Sequence, residues 1–231
     1  MRFYVDRVRL GDAVPQRLSS PNVPGSLVSV DELTGRLLTT DYSVSRVPAK
    51  DYADCQRPGS RAFFDYEGKA CVTITRSFKL SDVSAASVTL RSTLTPAAQN
   101  FSGVTAAEDR LYVARSASYD YSTCTSSTSG SPCAPTLREP GGLWAIGGIR
   151  DGALAIVSSL DGDTRWPVAA RGSKVAMYTD SGLTIYDTKT KEPTIVGAIT
   201  LRGYGYTSHV LMTDTQAVCS LGEWGLQSVK Y

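Results

Sequence analysis

The stretch 174–199, KVAMYTDSGLTIYDTKTKEPTIVGAI, decides the fold. It contains three short apolar runs, at 174–178, 182–186 and 194–199. Asp, Gly, Ser, Lys and Pro separate these runs, and residues of this kind favour tight turns. None of the runs continues with a 3.6-residue period, which a helix would need. The stretch therefore predicts three short strands joined by hairpins.

A Gly-Leu pair opens the middle strand of this stretch and recurs along the chain. The pair occurs at Gly142-Leu143, Gly182-Leu183 and Gly225-Leu226, at spacings of 40 and 43 residues. Two short apolar runs precede each pair, and a further run follows the first two pairs. Four short strands in a period of about 40 residues are typical of one blade of a β-propeller. The repeat predicts an all-β protein built from blades.

The N-terminal part of the chain follows the same scheme once an insertion at 43–70 is set aside. Strands at 26–30, 36–40, 71–75 and 87–91 would form one blade, and a second insertion, at 116–140, interrupts the next. The runs 3–8 and 14–18 resemble the last two strands of a preceding blade. We therefore expect residues 1–231 to be a single β-propeller domain or propeller fragment that begins and ends within a blade. Either the two ends combine into a closed ring of about four blades of four antiparallel strands, or the chain is an arc of a larger propeller.

One repeat unit also carries a family resemblance. Residues 181–197, SGLTIYDTKTKEPTIVG, combine a Gly-Leu strand that ends in Asp, a Pro after a short turn, and an apolar strand that leads to Gly. This stretch resembles the LVIVD-type repeat of bacterial extracytoplasmic β-propellers. The resemblance implies a blade in a secreted, periplasmic or cell-surface protein, and it implies no common catalytic residues.

The cysteines indicate an oxidising compartment. Four of the five are associated with the two insertions, and proximity predicts the disulfide bonds Cys55–Cys71 and Cys124–Cys133. Each bond would staple one inserted loop, although four reduced cysteines remain the alternative. Cys219 lies in an apolar run and is interpreted as a small buried core residue.

Composition excludes several classes of function. With 24 Lys and Arg against 22 Asp and Glu, the chain has no strongly basic field, so nucleic acid is not expected as a partner. No apolar run is long enough for a membrane span. His209 is the only histidine, and we expect no metal site and no cofactor.

Binding residues are predicted in two places. The linker 202–209 joins two units, and its Arg202, Tyr204, Tyr206 and His209 suit stacking on sugars or peptides. The two inserted loops are expected to form a contact surface through their aromatic residues, which are Tyr52, Phe63, Phe64, Tyr66, Tyr119 and Tyr121. The expected partner is a protein, a glycan or the remainder of a longer parent chain.

These features favour a non-catalytic binding or assembly module of a secreted or cell-surface bacterial protein. The alternative is a propeller hydrolase or lyase that acts on glycans or peptides through paired carboxylates. Its candidate carboxylates stand near strand ends, where Asp and Glu are also ordinary turn residues. They are Glu108, Asp109, Asp180, Asp214 and Glu223. This alternative predicts turnover that collapses when Asp109 or Asp214 is changed to Asn, and no residue is assigned as catalytic.

Overall fold

The computed structural model describes residues 2–11, 14–18, 20–48, 62–64, 70–84, 87–120, 136–162, 166–179, 182–201 and 209–231. This part of the chain is all-β, and its one helical element is the three-residue 3-10 turn Gly222–Trp224. No helix among these residues has the length and apolar character that a membrane crossing requires. The strands are β1 (Phe3–Tyr4), β2 (Val8–Arg9), β3 (Gln16–Arg17), β4 (Asn22–Val23), β5 (Ser26–Val30), β6 (Leu37–Pro48), β7 (Ala62–Phe64), β8 (Ala70–Val83), β9 (Val88–Leu94), β10 (Phe101–Ala107), β11 (Arg110–Arg115), β12 (Ser118–Asp120), β13 (Thr136–Glu139), β14 (Gly142–Gly147), β15 (Ala155–Asp161), β16 (Pro167–Arg171), β17 (Lys174–Thr179), β18 (Gly182–Asp187), β19 (Thr194–Ile199), β20 (His209–Met212), β21 (Gln216–Ser220) and β22 (Leu226–Lys230).

The strands form four antiparallel meanders, one for each repeat unit of the sequence. Sheet 1 has the order β5-β6-β8, with β7 and β9 paired to different parts of β8. Sheet 2 has the order β10-β11-β14-β15 and sheet 3 the order β16-β17-β18-β19. Sheet 4 contains β20, β21 and β22. Meanders of this kind follow directly from hairpin turns between short strands.

The N-terminal segment forms a separate irregular hairpin. The strand predicted at 3–8 is broken into β1 and β2, and of the strand predicted at 14–18 only β3 forms; β2 pairs with β3, and β1 pairs with β4, which was not predicted. Between the two pairs, the Val5 N–H donates to the carbonyl oxygen of Pro21 at 3.2 Å. The hairpin contacts sheet 1, where Arg7 Nη1 donates to the carbonyl oxygen of Ser84 at 3.0 Å.

Successive sheets pack face to face through apolar side chains. On β11, Leu111 and Val113 belong to a cluster with residues of sheet 1, whereas Tyr112 and Ala114 belong to a cluster with Val175 and other residues of sheet 3. A third cluster joins sheets 3 and 4. Because side chains alternate across a strand, a central sheet with a neighbour on both sides buries both sets. This explains why the middle strands read as continuous apolar runs, whereas β22 alternates between exposed and half-buried residues.

The repeated Gly-Leu pair marks the start of the third strand of a sheet. Gly142 and Gly182 have φ angles of 152° and 137°, which other residues rarely adopt. A Cβ atom on Gly142 would overlap the carbonyl oxygen of Leu160, and one on Gly182 would overlap that of Ile199. At these two positions the fourth strand approaches too closely for any side chain, whereas a Cβ atom on Gly225, in the three-stranded sheet 4, would meet nothing within 4 Å.

The first strands of the four sheets lie side by side, with their corresponding ends together. β10 contacts both β5 and β16, and β16 contacts β20. We call the end that carries the hairpins from first to second strand the turn end, and the opposite end the arm end. The turn-end hairpins include residues 108–109 and 172–173.

The insertions differ from the predicted loops, because their described parts continue the strands. β6 and β8 pair without interruption from Leu37↔Ser81 to Pro48↔Ala70, so the predicted strand 71–75 lies within an extended hairpin and the sheet itself uses the later part of β8. The second insertion begins and ends with the pair β12–β13. We call the hairpin of β6 and β8 beyond Asp41 and Ser77, together with β7, arm 1, and the β12–β13 pair arm 2.

The predicted disulfide staples are not confirmed. No disulfide bond joins two cysteines within the described part of the chain, since Cys55, Cys124 and Cys133 lie outside it. Cys71 is buried and disulfide-bonded, and its pairing with Cys55 stays a prediction. Cys219 is a free cysteine in the core between sheets 3 and 4, as predicted, and burial raises the pKa of its thiol.

Candidate functional site

The arm end gathers the sequence-predicted binding residues that the structure describes. Both arms leave their sheets at this end, and the exposed His209 begins β20 there. On arm 2, Tyr119 is 48% exposed. On arm 1, Phe63 and Phe64 are in register with Val72 and Cys71. The other predicted residues lie outside the described part of the chain, and they are Tyr52, Tyr66, Tyr121, Arg202, Tyr204 and Tyr206.

One face of arm 1 continues the core face of sheet 1. Phe78 belongs to the core between sheets 1 and 2, and it pairs with Thr40. The next pair on the same face is Tyr42↔Arg76. Since alternate residues of a strand point to one side, this face changes from buried at Phe78 to exposed at Tyr42 and Arg76.

A groove of about 340 Å³ lies at the foot of this face, between sheet 1 and the start of β10. Its aromatic walls are Tyr42 from arm 1, Phe101 from β10 and Phe3 from the N-terminal hairpin. Hydroxyl groups of Ser26 and Thr40 also line it. The groove therefore combines flat apolar surfaces with hydrogen-bonding groups, as small-molecule pockets generally do.

Phe101 forms a rigid floor for the groove. Its ring stacks on Phe78 with centroids 5.6 Å apart and meets the edge of Trp144 at 6.2 Å. The guanidinium of Arg76 lies over the Phe101 ring, 5.9 Å from its centroid. Arg115 stacks on Trp144 at 4.7 Å, so the aromatic group is held between two cations.

Positive charge predominates around the groove. Asp41, which also lines it, accepts a hydrogen bond from Lys79 Nζ at 2.5 Å, and this bond holds the pKa of Asp41 below its usual value. Asp41 is thus already neutralised by a neighbour. Among the described residues, no carboxylate forms an ion pair with Arg76, so the groove presents a net positive charge.

The turn end holds a second and larger cavity, of about 530 Å³, which the sequence reasoning missed. Turns from sheets 1, 2 and 3 line it, and they contribute Glu32, Glu108 and Arg171. The buried Asp31 accepts a hydrogen bond from Arg150 Nε at 3.1 Å on its wall. Glu108 is one of the candidate carboxylates of the enzyme alternative, but sequence spacing alone does not show that separate turns converge on one cavity.

The candidate carboxylates of the enzyme alternative occupy different settings. Asp109 Oδ1 accepts the backbone N–H of Arg150 at 2.6 Å, which is a structural role. Asp214 pairs with Arg171 Nε at 3.0 Å, and both lie beside Glu108 in a small cavity next to the larger one. Glu223 is in the 3-10 turn and Asp180 lies outside the described residues. In the part of the chain that the structure describes, no cluster of three or more His, Cys, Asp or Glu side chains is arranged to hold a metal ion.

Comparisons with known proteins add no further constraint. The chain matches no protein family model, and no curated protein is significantly similar to it. The resemblance of residues 181–197 to the LVIVD-type repeat therefore stays a prediction.

Proposed function

We propose that this chain is an arc of a β-propeller and serves as a non-catalytic binding or assembly module in a secreted or cell-surface bacterial protein. Four meander sheets that pack face to face, with their first strands side by side, support the propeller assignment. The buried, disulfide-bonded Cys71 supports an extracytoplasmic location, because disulfides persist in oxidising compartments.

The observation that carries the binding function is the convergence of both arms at one end of the sheets. Arm 1 and arm 2 arise from neighbouring sheets, and each extends a strand pair beyond the packed core. The aromatic groove lies between the foot of arm 1 and β10 of the next sheet. Projecting elements on a rigid scaffold are a common way to build a recognition surface.

The test is to remove the arms without disturbing the sheets. Asp41 and Ser77 are directly opposite, as are Arg115 and Gly142, so an Asn-Gly turn can replace residues 42–76 and 116–141. The chain and the trimmed variant are compared on a panel of immobilised surface glycans and envelope proteins. We expect the trimmed variant to remain folded and to lose the binding seen with the full chain.

Equal binding by the trimmed and full-length proteins would contradict this function. A matched control is Glu32→Gln, which changes the opposite end of the molecule and should leave binding unaffected. Circular dichroism and urea unfolding show whether each variant retains its sheets.

A hydrolase or lyase is the second candidate, supported by Glu32 and Glu108 in the turn-end cavity. Carboxylate pairs are the usual catalytic groups of glycoside hydrolysis. This function requires turnover of an oligosaccharide or peptide that collapses in Glu108→Gln. The absence of turnover across both substrate classes would eliminate it.

A further inference from the structure

We propose that the groove at the foot of arm 1 binds a uronic acid residue of an acidic carbohydrate, with its carboxylate on Arg76 and its ring against Tyr42. This inference rests on the proposed binding function and names the ligand chemistry of the arm end.

The guanidinium of Arg76 is free to bind a carboxylate of the ligand and has a defined orientation. Arg76 is exposed, and its guanidinium lies over the Phe101 ring, which limits the directions in which its N–H groups point. The neighbouring Asp41 is engaged by Lys79 at 2.5 Å and does not compete for Arg76. A planar guanidinium forms two parallel hydrogen bonds with a carboxylate, so an anionic group of that shape is the best complement.

The remaining walls suit a sugar ring. Phe101 is fixed by Phe78 and Trp144, and Tyr42 is 53% exposed beside it. Aromatic faces pack against the apolar face of a pyranose, while the hydroxyls of Ser26 and Thr40 can bond its hydroxyl groups. The volume of about 340 Å³ is at the small end of ligand pockets, which range over about 300–1,000 Å³, and suits one or two sugar rings.

An acidic peptide fits these observations less well. An extended peptide is commonly held by main-chain hydrogen bonds along a strand edge. This groove borders such an edge only along residues 101–104 of β10, and its other lining residues contribute side-chain hydroxyls, a carboxylate and a guanidinium, which suit a ligand with many hydroxyl groups. The peptide is therefore the competing outcome of the test.

The experiment is isothermal titration of the full chain with a galacturonic acid trisaccharide. We expect binding that weakens at least about tenfold in Arg76→Gln, because a charge-assisted bidentate contact is lost. Tyr42→Ala should weaken binding about fivefold through loss of stacking. The corresponding galactose trisaccharide, which lacks carboxylates, should bind at least about tenfold less tightly than the acidic one.

Arg46→Gln is the matched control. Arg46 is exposed on the same face of arm 1, four residues beyond Tyr42 and so roughly 13 Å away. The substitution Arg46→Gln removes one positive charge, as Arg76→Gln does, but outside the groove. It should change the affinity for the acidic trisaccharide less than about twofold. Equal losses in Arg76→Gln and Arg46→Gln would show unspecific charge attraction and overturn the inference.

Three further results would also overturn it. They are undetectable binding of the acidic trisaccharide, equal affinity for the neutral trisaccharide, and tighter binding of a Glu- and Tyr-containing peptide that depends on Arg76. The arm-trimmed variant lacks Tyr42 and Arg76, so the single variants Arg76→Gln and Tyr42→Ala, rather than the trim, separate this inference from the proposed function. Failure of the trisaccharide to bind, with arm-dependent binding on the surface panel intact, would remove only the sugar assignment.

Discussion

Glu108 is the one described residue other than glycine with a positive φ angle, 51°. It occupies the first position of the two-residue turn between β10 and β11. The equivalent position in sheet 3 is Gly172, with a φ of 55°. A left-handed conformation costs a residue with a side chain roughly 1 kcal/mol. We therefore expect Glu108→Gly to raise the free energy of unfolding by about 0.5–1 kcal/mol in urea titrations.

The reciprocal variant tests the same argument. A Cβ on Gly172 would meet no atom closer than 4.0 Å, so Gly172→Ala should lower stability only through its backbone, by about 1 kcal/mol. If Glu108→Gly were less stable than the wild type, the carboxylate would have to stabilise this turn more than the strain costs.

Asp31 is buried at the turn end with three hydrogen bonds to its carboxylate. Burial alone would raise its pKa, but the N–H and Oγ1 of Thr34, at 2.9 and 2.5 Å, and Arg150 lower it below the usual value. The folded state thus binds this proton less readily than the unfolded chain, whose Asp has a pKa near 3.9. This stabilisation is complete above about pH 4 and is lost as pH falls through the lower folded pKa.

Asp31→Asn should reduce stability at neutral pH by roughly 2 kcal/mol and flatten this acid dependence. Urea unfolding between about pH 2 and pH 7 measures both effects. The exposed pair partner Asp214, changed to Asn, is the control and should have a much smaller effect. If the free energy of unfolding of Asp31→Asn fell with decreasing pH as steeply as that of the wild type, Asp31 would not be the source of this acid dependence.

At the scale of one element, the stability of β18 depends on the close contact between its first residue, Gly182, and the end of β19. A Cβ at Gly182 would overlap the carbonyl oxygen of Ile199 and lie 3.0 Å from the backbone nitrogen of Leu201. We expect Gly182→Ala to cost about 3 kcal/mol or more in the free energy of unfolding, because backbone atoms must move. Gly162 has a φ of 152° with open space around it, so Gly162→Ala should cost only about 1 kcal/mol. Equal losses in the two variants would mean that conformation, rather than close approach, maintains the repeat.

At the scale of the whole molecule, the stack of sheets leaves one apolar face without a described neighbour. Leu211 and Leu226 lie on the face of sheet 4 that points away from sheet 3 and are 67% and 73% exposed. The corresponding faces of sheets 2 and 3 pack against the next sheet. We expect the chain to self-associate through this face in sedimentation measurements over a roughly hundredfold range of concentration.

Changing both Leu211 and Leu226 to Lys should leave the chain monomeric. Leu10→Lys, at a site that is 84% exposed on the N-terminal hairpin, should not alter the association. A wild-type protein that stays monomeric over the whole concentration range would contradict this expectation. It would indicate that this face of sheet 4 is covered within a single chain.

Local pattern was enough to predict most strands, because short alternating runs bounded by turn residues have few other stable forms. The strands predicted at 174–178, 182–186 and 194–199 lie at β17, β18 and β19. In contrast, the predicted strand 71–75 belongs to arm 1, since uninterrupted alternation does not show where a strand leaves the sheet. The N-terminal runs form two short strand pairs for a similar reason, since alternation does not show where a strand is interrupted.

The sequence by itself determined the all-β class, the length of the repeat and the glycine that opens the third strand of sheets 2 and 3, because these follow from local backbone geometry and alternation. Tertiary structure alone decided which residues meet. Arg76 and Phe101 are separated by a strand and a linker, and Glu32, Glu108 and Arg171 belong to three different sheets. The groove and the turn-end cavity arise from packing of whole sheets, and sequence periodicity contains no information about the contacts between distant strand ends.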